Sequence, residues 1–167
     1  CSEGGDYVVV TAEGMYQWFG QAPAGDMGDA AVVGVLHLQR IEDRNGNYHA
    51  LRYGDHGALT HVADSAGRLL EFLYVPGTAR LQQIHLRVGV GGEVPQALVH
   101  YRYDASGQLA EVRDRAGQTT RRFTYANGRM ASHQLPGGLL CSYEWQEFAQ
   151  GIGNRPGPHA RVVQHEC

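Results

Sequence analysis

Apolar and polar residues alternate along this chain in short runs, and turn-forming residues cut the runs at even intervals. Leu36 and Leu38 alternate with His37 and Gln39; Tyr101 and Tyr103 flank Arg102, and Phe123 and Tyr125 flank Thr124. A period of two places alternate side chains on one face of a strand. The runs last about six to eight residues, too short for average helices. They are rich in Val, Tyr, Thr and Phe and lack helix caps. Strands are expected over Tyr7–Val10, Tyr16–Phe19, Ala31–Ile41, Tyr48–Tyr53, Leu59–Val62, Leu69–Tyr74, Leu81–Val90 and Val94–Tyr103. The pattern resumes over Met130–Gln134, Leu139–Trp145 and Ala160–Gln164, with a hairpin tip across Gly89–Gly92.

The turns carry the stronger signal. Asp43-x-x-Gly46, Gly57 and Asp64-x-x-Gly67 place glycines 11 and 10 residues apart. Asp104-x-x-Gly107, Asp114-x-x-Gly117 and Asn127-Gly128 repeat the rhythm at 10 and 11. A fixed period of this kind predicts a repeat architecture centred on Tyr101–Gly128. Each aspartate reads as a turn former whose carboxylate accepts backbone N–H groups. The glycine three residues later supplies the positive φ of a three-residue hairpin loop. One pattern runs against strands: Gly57-x-Leu59-x-x-Val62, Gly67-x-Leu69-x-x-Phe72 and Gly107-x-Leu109-x-x-Val112 space apolar residues three apart. In a strand that spacing switches faces, so it implies a bulge, strong twist, or a sheet covered partly on both sides.

Three segments follow: degenerate strands of the array in 1–35, the repeat region in 36–145, and a loop-rich tail with a short strand in 146–167. Composition agrees with ordered β-structure. Hydrophobic residues make up 43% and charged residues 19% of 167, and glycine is enriched at 23 residues. A net charge of −3 removes the electrostatic case for nucleic acid or an anionic membrane surface. No apolar run is long enough for a membrane-spanning helix. The chain begins at Cys1 in mid-pattern and reads as a piece of something longer.

Candidate chemistry is sparse. Cys1, Cys141 and Cys167 are odd in number and far apart, neither a disulfide framework nor a zinc knuckle. Cys141 reads as a small apolar core residue. None of the nine histidines forms a metal-ligand motif; His159, His165 and Cys167 are the nearest cluster. Gly89–Gly92 lacks the Lys-Ser/Thr of a phosphate loop, and no Gly-x-Ser-x-Gly elbow occurs. Glu42 and Asp43 are adjacent and point to opposite faces of a strand, a poor geometry for acid–base catalysis. No catalytic, cofactor-binding or metal residue is assigned, and no enzyme activity is expected. The residues singled out are turn residues: Asp43, Gly46, Gly57, Asp64, Gly67, Asp104, Gly107, Asp114, Gly117, Asn127 and Gly128.

The run Tyr103, Asp104, Gly107, Leu109, Val112, Asp114, Gly117 resembles the YD repeat, YDxxGRLxxVxDxxG, of Rhs proteins. Ile41–Asn47, Val62–Leu69 and Phe123–Met130 resemble further copies, so the likeness covers roughly residues 36–145. Gln108 stands where the pattern has Arg, and Tyr53 is followed by Gly54 in place of Asp; neither disturbs the turns. The resemblance implies an all-β fold of antiparallel hairpin repeats, forming part of a curved or spiralling sheet of a hollow shell. Such shells enclose a C-terminal toxin and are exported from bacteria, often as type VI secretion effectors. The implied partners are the remaining parts of the same shell, the enclosed toxin and secretion-spike proteins. No Asp-Pro occurs, so the aspartyl self-cleavage motif of that family is not in this chain. The expected role is structural. The alternative is a carbohydrate- or protein-binding module that uses exposed Tyr, Trp18 and Trp145 side chains.

Overall fold

The computed structural model describes residues 7–21, 36–54, 57–88, 95–148 and 159–167. Among them lie thirteen strands and no α-helix. They are β1 (Tyr7–Val10), β2 (Tyr16–Gly20), β3 (His37–Glu42), β4 (Tyr48–Tyr53), β5 (Leu59–Asp64), β6 (Arg68–Tyr74) and β7 (Leu81–Val88). The order continues with β8 (Gln96–Tyr103), β9 (Leu109–Asp114), β10 (Thr119–Ala126), β11 (Arg129–Gln134), β12 (Leu140–Phe148) and β13 (His159–Glu166). Strand order in the sheet equals chain order. Local turns and antiparallel neighbours produce that meander, which needs no crossover connection. The all-β antiparallel class expected from the alternation is the class of the fold.

Contacts divide the chain into two units, Cys1–Leu98 and Val99–Cys167. In the first, one row of paired residues is apolar: Leu51 opposite Val62, Val62 opposite Leu70, Leu70 opposite Leu86. Phe72 opposite Ile84 extends the same face. The opposite face carries His61, Glu71 and His85 in register, with Arg87 2.8 Å from Glu71. In the second unit, Tyr101 lies opposite Val112, and Phe123 opposite His133, which lies opposite Cys141. The other face is polar, with Arg102, Glu111, Arg122 and Gln134 in register. Paired residues share a face, so each unit has one apolar, aromatic side and one polar side.

The spacing of three is resolved by bulges. Tyr101 pairs with Val112, but Tyr103 pairs with Leu109, because the register shifts between Arg102 and Tyr103. Two residues on β8 therefore oppose three on β9, and Leu109 and Val112 return to one face. Leu51 and Tyr53 meet Val62 and Leu59 in the same way, across a shift between Arg52 and Tyr53. Leu69 and Phe72 follow the other route implied by the sequence. No shift separates them from their partners Arg87 and Ile84, so they occupy opposite faces of β6.

Burial is shallow. Every residue of β3, β5, β9 and β11 is half-buried. Among the described residues Cys141, 3% exposed, is the one buried hydrophobic side chain, and no polar side chain is buried. A single layer cannot bury a face without a second surface against it.

Several boundaries differ from expectation. The strand expected from Ala31 begins, among described residues, at His37, and the strand expected over Ala160–Gln164 runs His159–Glu166. Seven residue pairs against β12 support that longer last strand. The expected Gly89–Gly92 tip, an expected loop over 21–30 apart from its first residue, and an expected loop over 151–158 lie outside the described residues. The cysteine spacing is corrected: Cys141 and Cys167 form a disulfide across 26 residues of chain. Pairing of Ser142 with Glu166 brings them opposite each other, with a Cα–Cα distance of 4.0 Å. Linear spacing carried no sign of that pairing.

Candidate functional site

The Asp-x-x-Gly turns share one hydrogen-bond plan. At Asp104, Oδ1 accepts the N–H groups of Ser106 and Gln108, each at 2.9 Å. The Asp104 carbonyl accepts the Gly107 N–H at 2.9 Å, and the Asp104 N–H donates to the Gln108 carbonyl at 2.9 Å. Asp114 repeats this with Ala116, Gly117 and Gln118; Asp64 with Ala66, Gly67 and Arg68; Asp43 with Asn45, Gly46 and Asn47. Each carboxylate thus takes two N–H donors that the reversing chain leaves unpaired. The side-chain amide of Asn47 and its N–H hold the Asp43 carboxyl below its usual range. At Asp64 the Arg68 N–H is the leading cause of the same downward shift.

Gly46, Gly57, Gly67, Gly107 and Gly117 all have φ between 73° and 83°. Asn127 at 52° and Gly128 at 74° form a two-residue turn that closes on the Ala126–Arg129 pair. Two left-handed central residues are the geometry of a type I′ hairpin. The same backbone pattern appears without an aspartate at Thr11–Met15 and Leu135–Leu139. The acidic turn residues therefore sit where strands end: Asp43 after β3, Asp64 at the end of β5, Asp104 after β8 and Asp114 at the end of β9.

A second recurring device lies on the aromatic face. The Tyr53 phenol donates to the Leu38 carbonyl at 2.7 Å, and the Tyr74 phenol to the Leu59 carbonyl at 2.8 Å. Tyr125 donates to the Leu109 carbonyl at 2.9 Å, and the Trp145 indole N–H to the Met130 carbonyl at 2.6 Å. Each donor sits where the register shifts, and each acceptor lies on the preceding strand. The same residues pair with the following strand: Tyr53 with Leu59, Tyr125 with Met130, Trp145 with Val162. One aromatic residue thus ties three strands together. Burial raises the pKa of both Tyr53 and Tyr125, and the negative charge of Asp104 adds to the shift at Tyr125. Sequence reading missed these latches. The available signal was an aromatic at or next to the end of β4, β6, β8 and β10 (Tyr53, Tyr74, Tyr103 and Tyr125), with Trp145 inside β12.

Beside the latches runs a row of rings. Phe123 stacks near His133, His133 on Tyr143, and Tyr143 on His165, with centroid distances of 6.4, 5.7 and 5.6 Å. The Tyr143 hydroxyl lies 2.8 Å from His133 Nδ1. The row ends at the disulfide, where His165 Nε2 lies 3.0 Å from Cys167 Sγ. Of the cluster suggested by sequence, His165 and Cys167 are brought together; the third member is Cys141, and the side chain of His159 lies outside the described set. A groove of about 500 Å³ nearby is lined by Met130, Tyr143, Trp145 and Val162, among others.

On the polar face Glu111 gathers cations. Arg113 lies 2.8 Å, Arg122 3.6 Å and Arg102 3.9 Å from its carboxylate. The Thr119 hydroxyl, which hydrogen-bonds the carboxylate, is the leading cause of a lowered Glu111 pKa, followed by Arg113. This is a structural ion network on an open sheet face.

The profile of the RHS Repeat family matches residues 103–139. Residues 103–139 thus carry an RHS repeat. Toxin protein Tse5 of Pseudomonas aeruginosa (strain PAO1) is 34% identical over 148 residues, 78% of this chain and 11% of its own length. Double-stranded DNA deaminase toxin A of Burkholderia cenocepacia (strain H111) is 31% identical over 114 residues, 68% of this chain and 8% of its own. The chain spans about a tenth of the length of these curated relatives. The crystal structure of TcdB2-TccC3-Cdc42 matches 82% of this chain and 7% of its own at 17% identity and a TM-score of 0.46. That of TcdB2-TccC3 without the hypervariable C-terminal region matches 90% and 8% at 16% identity and 0.47. The matched RHS segment opens on Tyr103, holds the turns at Asp104, Asp114 and Asn127, and contains the Tyr125–Leu109 latch.

Proposed function

We propose that this RHS-repeat chain is a wall segment of a shell that encloses a C-terminal toxin for delivery between bacteria. The observation that carries the reading is the single-layer sheet. Each unit presents an aromatic face and a polar face, and Cys141 is the one buried hydrophobic side chain among the described residues. A wall requires two such surfaces and a way to add strands without limit, which a meander of local hairpins supplies. Asp43, Asp64, Asp104 and Asp114 with their glycines, and Asn127-Gly128, then serve as turn formers, and the role needs no catalytic group or cofactor. The names of the two toxin relatives support a toxin as cargo and export from a bacterium as the route. The partners are the rest of the same shell, the enclosed toxin and secretion-spike proteins.

The test is imaging and limited proteolysis of the full-length parent protein. An internal cavity, with a C-terminal domain protected from protease until the particle is opened, is the expected result. A particle without a cavity, or a C-terminal domain cleaved as fast as the isolated one, overturns enclosure.

A second reading is a carbohydrate- or protein-binding module. Tyr16, 41% exposed, and Trp145, 38% exposed beside the groove, favour it. The Trp145 N–H is already committed to the Met130 carbonyl, which leaves the ring face alone for a ligand.

A further inference from the structure

We propose that Cys141, Cys167 and His165 form a zinc site that becomes available when the disulfide between the two cysteines is reduced. The three ligand atoms lie within 4.8 Å of one another, and His165 Nε2 is 3.0 Å from Cys167 Sγ. Backbone register explains the convergence. His165 and Cys167 are two apart on the β13 edge and share a face, while Cys141 on β12 stands opposite Cys167. Two thiolates and an imidazole make a soft N/S donor set, the type that selects zinc among abundant divalent cations.

The imidazole is positioned before any metal arrives. Its ring stacks on Tyr143 at 5.6 Å, and the Tyr143 hydroxyl is tied to His133 Nδ1 at 2.8 Å. Ligands whose orientation is set by surrounding contacts bind with less ordering cost. Cys141 is buried and Cys167 exposed, so the site has one shielded sulfur and one open side.

A dithiol reductant donates two electrons and two protons to the Cys141–Cys167 bond, becoming a disulfide itself and leaving two thiols on the chain. Zinc(II) then displaces both thiol protons to solvent and binds two thiolates and Nε2 of His165, with water in the fourth position. Zinc–sulfur distances of about 2.3 Å and zinc–nitrogen distances of about 2.0 Å require the sulfurs to separate to about 3.8 Å. Rotation of the Cys167 side chain at the exposed strand end provides that movement. Oxidation reverses the sequence and excludes the metal.

The test uses cobalt(II) as a spectroscopic probe on the 167-residue chain. After reduction and removal of the reductant, cobalt is expected to give thiolate-to-metal charge-transfer absorption that saturates at one equivalent and is displaced by zinc. The oxidised chain is expected to show no such band. Cys167→Ser should abolish the band, His165→Ala should weaken binding roughly tenfold or more, and Cys1→Ser should change neither. Absence of the band in the reduced chain overturns the site. So does a band that survives Cys167→Ser, is lost with Cys1→Ser, or is indifferent to His165→Ala. Because Cys141 is buried, its replacement could unfold β12; Cys167→Ser, with strand content checked by circular dichroism, carries the test instead.

Discussion

The phenol of Tyr125 donates a 2.9 Å hydrogen bond to the carbonyl of Leu109, joining β10 to the strand before it at a point where the ladder is shifted. The shift and the bond belong together. A bulge swings the aromatic side chain out of the regular alternation and leaves ladder groups without their normal partners. The phenol reaches back past the last β9–β10 pair, Arg122 with Glu111, to the Leu109 carbonyl. Tyr53, Tyr74 and Trp145 repeat the arrangement, so the strands of this chain carry a second structural signature beside the turns.

Tyr125→Phe keeps the ring and removes the donor. A net loss of about 1 kcal/mol is expected, the usual worth of one hydrogen bond. Urea denaturation of the parent and the variant measures it. An unchanged midpoint would mean that water replaces the phenol at no cost.

Glycine replacements should rank by surroundings. Gly117 has φ +77° and nothing within 4 Å of an added Cβ, so Gly117→Ala should cost only the backbone term, about 1–2 kcal/mol. Gly57 has φ +73°, and its Cβ would meet the His37 ring at 2.9 Å. That ring is packed against Tyr53 at 4.8 Å, so Gly57→Ala should lower the melting temperature further than Gly117→Ala. Equal effects would show that His37 moves aside freely.

Acid should weaken the turns. The folded-state pKa values of Asp43 and Asp64 lie below the unfolded value of about 3.9. Depressed pKa values contribute stability that is present above the unfolded value and is lost as the pH falls through the folded one. Melting temperature is therefore expected to drop below about pH 4, and Asp43→Asn with Asp64→Asn should flatten that drop. A double variant with the parent's slope would remove these carboxylates as its source.

Reduction should loosen the last strand. In the chain-entropy account, closing a loop of 26 residues contributes about 3–4 kcal/mol. Melting in reductant with a chelator present, so that no metal substitutes for the bond, should be lowered relative to the oxidised chain. Cys167→Ser should match the reduced parent. Protection of β13 amides from hydrogen exchange that survives reduction would show that the seven backbone pairs hold the strand unaided.

Much of the fold was legible because its turns are local. Asp104 and Gly107 are three residues apart, and every hydrogen bond in that turn closes within five residues. The strand runs between turns then pair with their neighbours along the chain. The spacing of Leu109 and Val112 also announced a departure from plain alternation, and the bulge beside Tyr103 accounts for it. The cysteines show the opposite case. Nothing in a 26-residue separation marks Cys141 and Cys167 as partners.

The sequence by itself determined the β class, the turn positions and the repeat period, since each rests on side chains acting on their own backbone within one reversal. Only the tertiary structure decided which residues meet across strands. Tyr125 reaches Leu109 over 16 residues, and Cys167 reaches Cys141 over 26. A one-residue slip in register sends a strand's side chains to the other face. Bulges set that register, and their partners lie a full hairpin away in the chain.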